Sequence, residues 1–286
     1  MQTRTRTAYG FLTPYLLVFA GFWIWPILYS FYLSFLATRT VPWRWNPSVT
    51  WGRLLVDPAF LNALKNTLMI LVIQVPVMIA LATLLAVLLN SSLLRARGLM
   101  RFAFFAPVVV GEVAYAAVFR LMFNRDFGIV NKALGVFGIP PVDWFANPTA
   151  AMAVIIIAVT WRWVGYNAII ILSGLQSVPE DVYEAATLDR VTPAQQFFNI
   201  TLPLLKPVIV FCVVLSVIGT MQLFTEPFLI TNRGGPGGAT ETLGVFLYRQ
   251  GFTVLNFGYA SATAYTTAAL AVLIALLNLW FGRERA

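Results

Sequence analysis

Six apolar runs, at about residues 11–36, 67–89, 102–123, 149–175, 204–224 and 258–281, set the terms on which this 286-residue chain can fold. A helix needs about 20 apolar residues to cross the hydrocarbon core of a bilayer, and each run approaches or exceeds that length. Inside hydrocarbon the backbone must satisfy its own hydrogen bonds, which leaves helices or closed barrels. The runs are too long for barrel strands, so the expected fold is all-α, with six transmembrane helices in a single unit over residues 1–286. Composition agrees: 59% of residues are hydrophobic and 10% charged, against about 25% charged in soluble domains.

Pro14, Pro26, Pro76, Pro107 and Pro207 fall in or near the runs, where kinks are expected. Trp43, Trp45, Trp51, Trp144, Trp161, Trp163 and Trp280 cluster near predicted helix ends, as an interfacial aromatic belt requires. The basic N-terminus MQTRTRTAYG leads into an apolar stretch from Phe11 to Phe35. That stretch is too long for a cleaved signal and reads as the first span. The formal net charge of +8 lies at segment ends and not along one polar face, which argues against nucleic acid. Basic residues are almost evenly divided between the two sides. Their density decides the orientation: Arg95, Arg97 and Arg101 crowd one short connection, and short loops weigh most in the positive-inside rule. Both termini, with Arg4, Arg6, Arg283 and Arg285, are then expected in the cytoplasm.

Catalytic chemistry has little to draw on. Histidine is absent, the one cysteine, Cys212, sits in an apolar run, and no metal site or phosphate-binding G-x-x-x-x-G-K-[ST] loop occurs. No catalytic residue, metal or cofactor is therefore assigned to this chain, and any ATP it depends on would be bound by another.

Between the fourth and fifth runs lies SVPEDVYEAATLDRVTPAQQFFNITLPLLKP, whose first part is the most charged stretch of the chain. Ser177 with Glu180, and Thr192 with Gln195, each make a capping box, which predicts two short helices joined by a turn near Asp189–Val191. The run Glu184-Ala185-Ala186, then Asp189, then Phe197, Ile200, Leu202 and Pro203, resembles the E-A-A-x-x-D-G-A loop of permease subunits in bacterial binding-protein-dependent ABC importers. Where that family has glycine this chain has Arg190, and Val191 replaces the usual alanine. TNRGGPGGATETL, residues 231–243, resembles the G-G-P…T-x-T-L loop of the maltose- and lactose-permease-like, carbohydrate-uptake branch, with one extra residue at Asn232 or Arg233. LYRQGF, FGYASATAY and TWRWVGYNAIIILSGLQ fit the same branch.

The resemblance implies a cytoplasmic coupling helix within residues 177–203, with Glu184, Ala185, Ala186, Asp189 and Arg190 docked on an ATPase. It implies four kinds of partner: a second permease subunit, a pair of ATPase subunits carrying ATP and Mg, an extracytoplasmic solute-binding protein, and a sugar or oligosaccharide as cargo. It also places the chain in the inner membrane.

A neutral sugar calls for hydroxyl-bonding groups and an aromatic wall. Trp163, Tyr166 and Asn167 on the fourth run, and Ser216, Thr220 and Gln222 on the fifth, offer them. Tyr166 also falls where, by resemblance to disaccharide permeases, a sugar-contacting aromatic stands. Each could instead be packing glue between helices. Ionisable groups in a membrane usually face a cavity or a partner. Glu112 and Arg120 are eight residues apart and share a helical face, suited to a pathway or to pairing, whereas Arg162 and Glu226 fall near run ends and suit an interfacial position. Three rivals stand beside the sugar importer. One is an importer of the same build for glycerol phosphate or a polyol, with Arg120 and Arg162 as its cations. Another is a stand-alone ion-coupled carrier, which predicts inverted repeats and interrupted helices, and neither is legible here. The third is a membrane-embedded enzyme.

Overall fold

The computed structural model describes residues 2–91 and 94–283, with side chains described from 11 to 91 and from 94 to 280. Arg285 lies outside the described residues, and the side chains of Arg4, Arg6 and Arg283 lie outside the described set. The chain forms two compact units, Met1–Leu61 with Phe246–Thr267, and Asn62–Val245 with Ala268–Ala286.

The helices follow the apolar runs. Helix α1 (Gln2–Phe19) continues through a π-helical turn into α2 (Trp25–Leu33). After a two-residue antiparallel pair, β1 (Leu36–Ala37) with β2 (Arg44–Trp45), come α3 (Trp51–Leu54) and the long α4 (Pro58–Asn90). Helices α5 (Arg97–Val109), α6 (Glu112–Met122), α7 (Ile129–Val136) and α8 (Pro148–Gln176) lead to the short α9 (Glu180–Leu188) and α10 (Pro193–Gln196). A π-turn at Phe197–Thr201 joins α11 (Leu202–Met221), followed by α12 (Thr225–Leu229), α13 (Leu243–Tyr248) and α14 (Phe257–Arg283). Among the described residues five helical segments are long and apolar enough to cross a membrane, and six if α5 and α6 count as one.

That third run corrects the expectation of a continuous span at 102–123, and with it the reading that no helix is interrupted. Helices α5 and α6 meet at 97°. Pro107 removes a backbone donor inside α5, Val110 adopts an extended conformation, and Gly111 starts α6. The fifth run breaks as well, at Gln222–Phe224, between α11 and α12.

In the first unit the start of α4 is held electrostatically. Asp57 Oδ1 accepts from the Ala59 amide at 2.9 Å, and Oδ2 accepts from the Tyr259 hydroxyl at 2.8 Å with Arg53 3.7 Å away. Burial alone would raise the pKa of this carboxyl, but these hydrogen bonds, one from Phe60, and Arg53 outweigh it and hold the value below the ordinary one. Phe60, Phe246 and Tyr259 pack edge to face beneath it.

In the second unit α4, α8 and α11 share a dry core of Met78, Ala82, Ile171, Leu172, Leu205 and Cys212, while Tyr115 and Phe119 of α6 pack on Ile155 and Val159 of α8. Asn147 starts α8 by accepting from the Thr149 and Ala150 amides at 2.9 and 3.1 Å, with Pro148 at the first helical position. Helix α5 lies against α8 at Gly165, where any Cβ would overlap the carbonyl oxygen of Phe104. Small residues let membrane helices approach this closely, and dispersion contacts then hold them, since lipid supplies no hydrophobic drive. Gly165→Val therefore separates α5 from α8. The expected result is loss of monodisperse protein on size-exclusion chromatography in mild detergent, while Gly135→Val, at a site with open space around it, is recovered like the parent.

Candidate functional site

The second unit holds a half-open cavity of about 370 Å³ at the level where α6 and α12 begin. Helix α8 contributes Val159, Arg162, Trp163, Tyr166 and Asn167, which recur at three to four residues and so share one face. Helix α11 and the segment after it contribute Ser216, Thr220, Gln222 and Glu226. Gln74 and Met78 of α4, with Glu112 of α6, complete the wall.

All six pathway candidates thus meet on one cavity, Trp163, Tyr166 and Asn167 on one side and Ser216, Thr220 and Gln222 on the other. Trp163 and Tyr166 stand edge to face with centroids 5.7 Å apart. The Asn167 amide donates to the Trp163 carbonyl at 3.0 Å and Ser216 Oγ to the Cys212 carbonyl at 2.7 Å, so both are oriented by their own helices. Thr220 Oγ1 reaches across to Gln74 Oε1 at 3.5 Å, which makes it a tie between helices too.

The ionisable groups sit differently from expectation. Arg162 and Glu226, expected at an interface, are buried at 7% and 5% exposure. Arg162 Nη2 lies 3.6 Å from Glu112 Oε1, its guanidinium stands 5.0 Å over the Tyr115 ring, and Thr225 Oγ1 donates to Glu112 Oε2 at 2.7 Å. Arg120 does not line the cavity. Gln74, Met78 and Thr225 were missed by sequence reasoning. A glutamine in the otherwise apolar run of α4 was the available signal for the first.

The connection after α8 folds as two short helices, but with one of its two expected caps. Thr192 and Gln195 form the capping box. Ser177 instead donates to the Gly174 carbonyl and closes α8, leaving α9 to start at Pro179 without a side-chain cap. Glu184, Ala185, Leu188 and Asp189 are exposed and Ala186 is buried. Leu188 is 84% exposed, an apolar knob that sequence reasoning did not single out. Helix α9 ends in a Schellman turn: the Val191 amide donates to the Ala186 carbonyl at 3.1 Å, and Arg190 takes φ +53°. Arg190 thus occupies the left-handed conformation that suits glycine.

The G-G-P segment is wound just as tightly. Positive φ runs through Asn232, Arg233, Gly234 and Gly235, and returns at Gly237 and Gly238. Thr231 and Thr240 hydroxyls meet at 2.6 Å inside it. Asn62 and Asn66 of α4 both donate to the Gly238 carbonyl at 2.9 Å, and the Leu243 amide donates to Thr67 Oγ1 at 3.0 Å.

Residues 8–284 match the family described as the binding-protein-dependent transport system inner membrane component. The chain belongs to that family and is a multi-pass membrane transport component. It is 39% identical over 279 residues to the lactose transport system permease protein LacF of Rhizobium radiobacter, covering 96% of this chain and 93% of the relative. It is 33% identical to the arabinooligosaccharides transport system permease protein AraP of Halalkalibacterium halodurans, covering 95% and 86%. Its fold matches a chain of a bacterial ABC transporter involved in the import of the acidic polysaccharide alginate, with a TM-score of 0.85 at 22% identity over 99% of this chain and 97% of that one.

A left-handed residue with a side chain costs about 1 kcal/mol more than glycine. Arg190→Gly is therefore expected to slow hydrogen exchange at the Arg190 and Val191 amides by about five-fold, measured by mass spectrometry in detergent; unchanged exchange would show the turn to be unstrained.

Proposed function

We propose that this chain is one of two membrane-spanning subunits of an ATP-driven importer, and that its cargo is a sugar or short oligosaccharide handed over by an extracytoplasmic binding protein. The observation that carries the cargo is the cavity on α8 and α11. Its aromatic pair Trp163 and Tyr166 gives an apolar wall for a sugar ring, and Asn167, Ser216, Thr220 and Gln222 give neutral hydrogen-bonding groups, the mixture that holds a polyhydroxylated solute. Relatives at 33–39% identity are named for lactose and arabinooligosaccharides, which supports the same class. The stand-alone carrier gains an interrupted helix from the structure, yet it leaves α9, α10 and family membership unexplained.

The rest of the assembly follows from this reading. The α9–α10 loop docks on a separate ATPase chain that holds ATP and Mg, with Glu184 and Asp189 bonding to basic groups and Leu188 entering an apolar depression. A second, related permease closes the other side of the pathway. Both termini and the α9–α10 loop lie in the cytoplasm, and the clamped G-G-P loop lies outside, towards the binding protein. Movement of the coupling loop under ATP then switches the cavity between outward- and inward-facing states.

Affinity purification of the tagged chain from its native membrane, followed by mass spectrometry, tests the assembly. A second permease and an ATPase are expected with it, and recovery of the chain alone from several mild detergents would overturn the reading. Within that complex Glu184→Lys reverses a charge on the docking surface. It should leave the membrane domain folded while cutting transport at least ten-fold, and wild-type transport would remove Glu184 from the contact.

A further inference from the structure

The cavity holds three ionisable side chains to which the importer reading gives no task. Arg162 is the best defined. Its side chain is 8% exposed, Nη2 pairs with Glu112, and the guanidinium lies over the Tyr115 ring. Nη1 meets no acceptor among the described residues. A buried N–H without an acceptor is unfavourable by the desolvation of that group; Arg162 lines the cavity with Nη1 itself covered. Glu112, more exposed, pairs with Arg162 at Oε1 and accepts from Thr225 at Oε2. Each of its oxygens keeps a further lone pair for a hydroxyl donor. Glu226, buried on α12, brings a second carboxyl group to the same wall.

The charges decide what can enter. Among the lining residues one guanidinium faces two carboxyl groups, and Glu112 already matches that guanidinium. A phosphate or uronate group would be stripped of water with no unmatched cation to receive it, and burying an unpaired charge is among the costliest events in a protein. An uncharged polyol meets no such cost. It accepts from Arg162 and donates to Glu112 and Glu226, and bonds to charged groups are roughly twice as strong as neutral ones.

We propose that Glu112, Arg162 and Glu226 are specificity-determining residues of this cavity, which together admit uncharged polyhydroxylated solutes and reject their anionic counterparts. The proposal rests on the reading of the cavity as the solute pathway. Saturation-transfer NMR on the purified complex without its binding protein suits the weak affinities expected, because it isolates the cavity from the selectivity of the delivery step. The probes are a neutral panel of lactose, maltose and arabinobiose, and an anionic panel of lactose 6′-phosphate and digalacturonate. The parent should bind at least one neutral sugar ten-fold or more tightly than any anionic one. Glu112→Gln frees the charge of Arg162 and should shift the preference towards the anionic panel at least five-fold. Arg162→Lys keeps the charge but loses the fork and should weaken neutral binding several-fold without admitting anions. Complexes recovered intact by size exclusion serve as the folding control. Glu112 is half-exposed, so its isosteric amide keeps the fold testable if Arg162→Lys does not assemble. Equal binding of both panels by the parent, or an unchanged preference in Glu112→Gln, would overturn the charge selection while leaving the importer standing. Binding of neither panel would overturn the cavity as the pathway, and this proposal with it.

Discussion

A peptide backbone in hydrocarbon has to satisfy its own N–H and C=O groups, and departures from helix are tolerated only where protein or a cavity surrounds them. The structure departs from helix at two breaks within its apolar runs. The bend between α5 and α6 and the interruption between α11 and α12 both deliver residues to one cavity, Glu112 from the first and Gln222 to Glu226 from the second. Each break also ends in a fresh helix start, and Thr225 at the head of α12 donates to Glu112 at the head of α6. The two irregular stretches are tied to one another, and Arg162 ties both to the continuous helix α8.

Left-handed backbone shapes two further segments of the second unit. The G-G-P loop spends four glycines and two non-glycine residues on positive φ, and is then clamped to α4 through Asn62, Asn66 and Thr67. The turn after α9 uses the same conformation at Arg190 and closes with a Schellman bond.

Much of the site was legible because helical periodicity is a local property. Trp163, Tyr166 and Asn167 lie within about a turn of one another, and Ser216 and Thr220 are four residues apart, so those shared faces follow from spacing; Gln222 reaches the cavity because α11 ends before it. That Arg162 pairs with Glu112 was not legible. The two are fifty residues apart, and a charge close to the end of an apolar run reads equally well as snorkelling to the interface. Gln74 was hidden for a related reason, since one glutamine in a long apolar helix gives no hint of the Thr220 hydroxyl it will meet.

The sequence by itself determined that the chain crosses a membrane as helices, roughly where the apolar part of each helix lies, and that the segment after α8 folds as two short helices. Apolar length, proline position and capping residues act over a handful of neighbours, so they need no knowledge of the rest of the chain. Only the tertiary structure decided that the third run bends by 97°, that Ser177 closes α8 instead of opening α9, and that three ionisable side chains share one cavity. Those outcomes depend on which helices pack together, such as α5 on α8 through Gly165, and on the energy of charges whose partners lie on other helices. Long-range packing and Coulomb pairing have no signature within a local stretch of sequence.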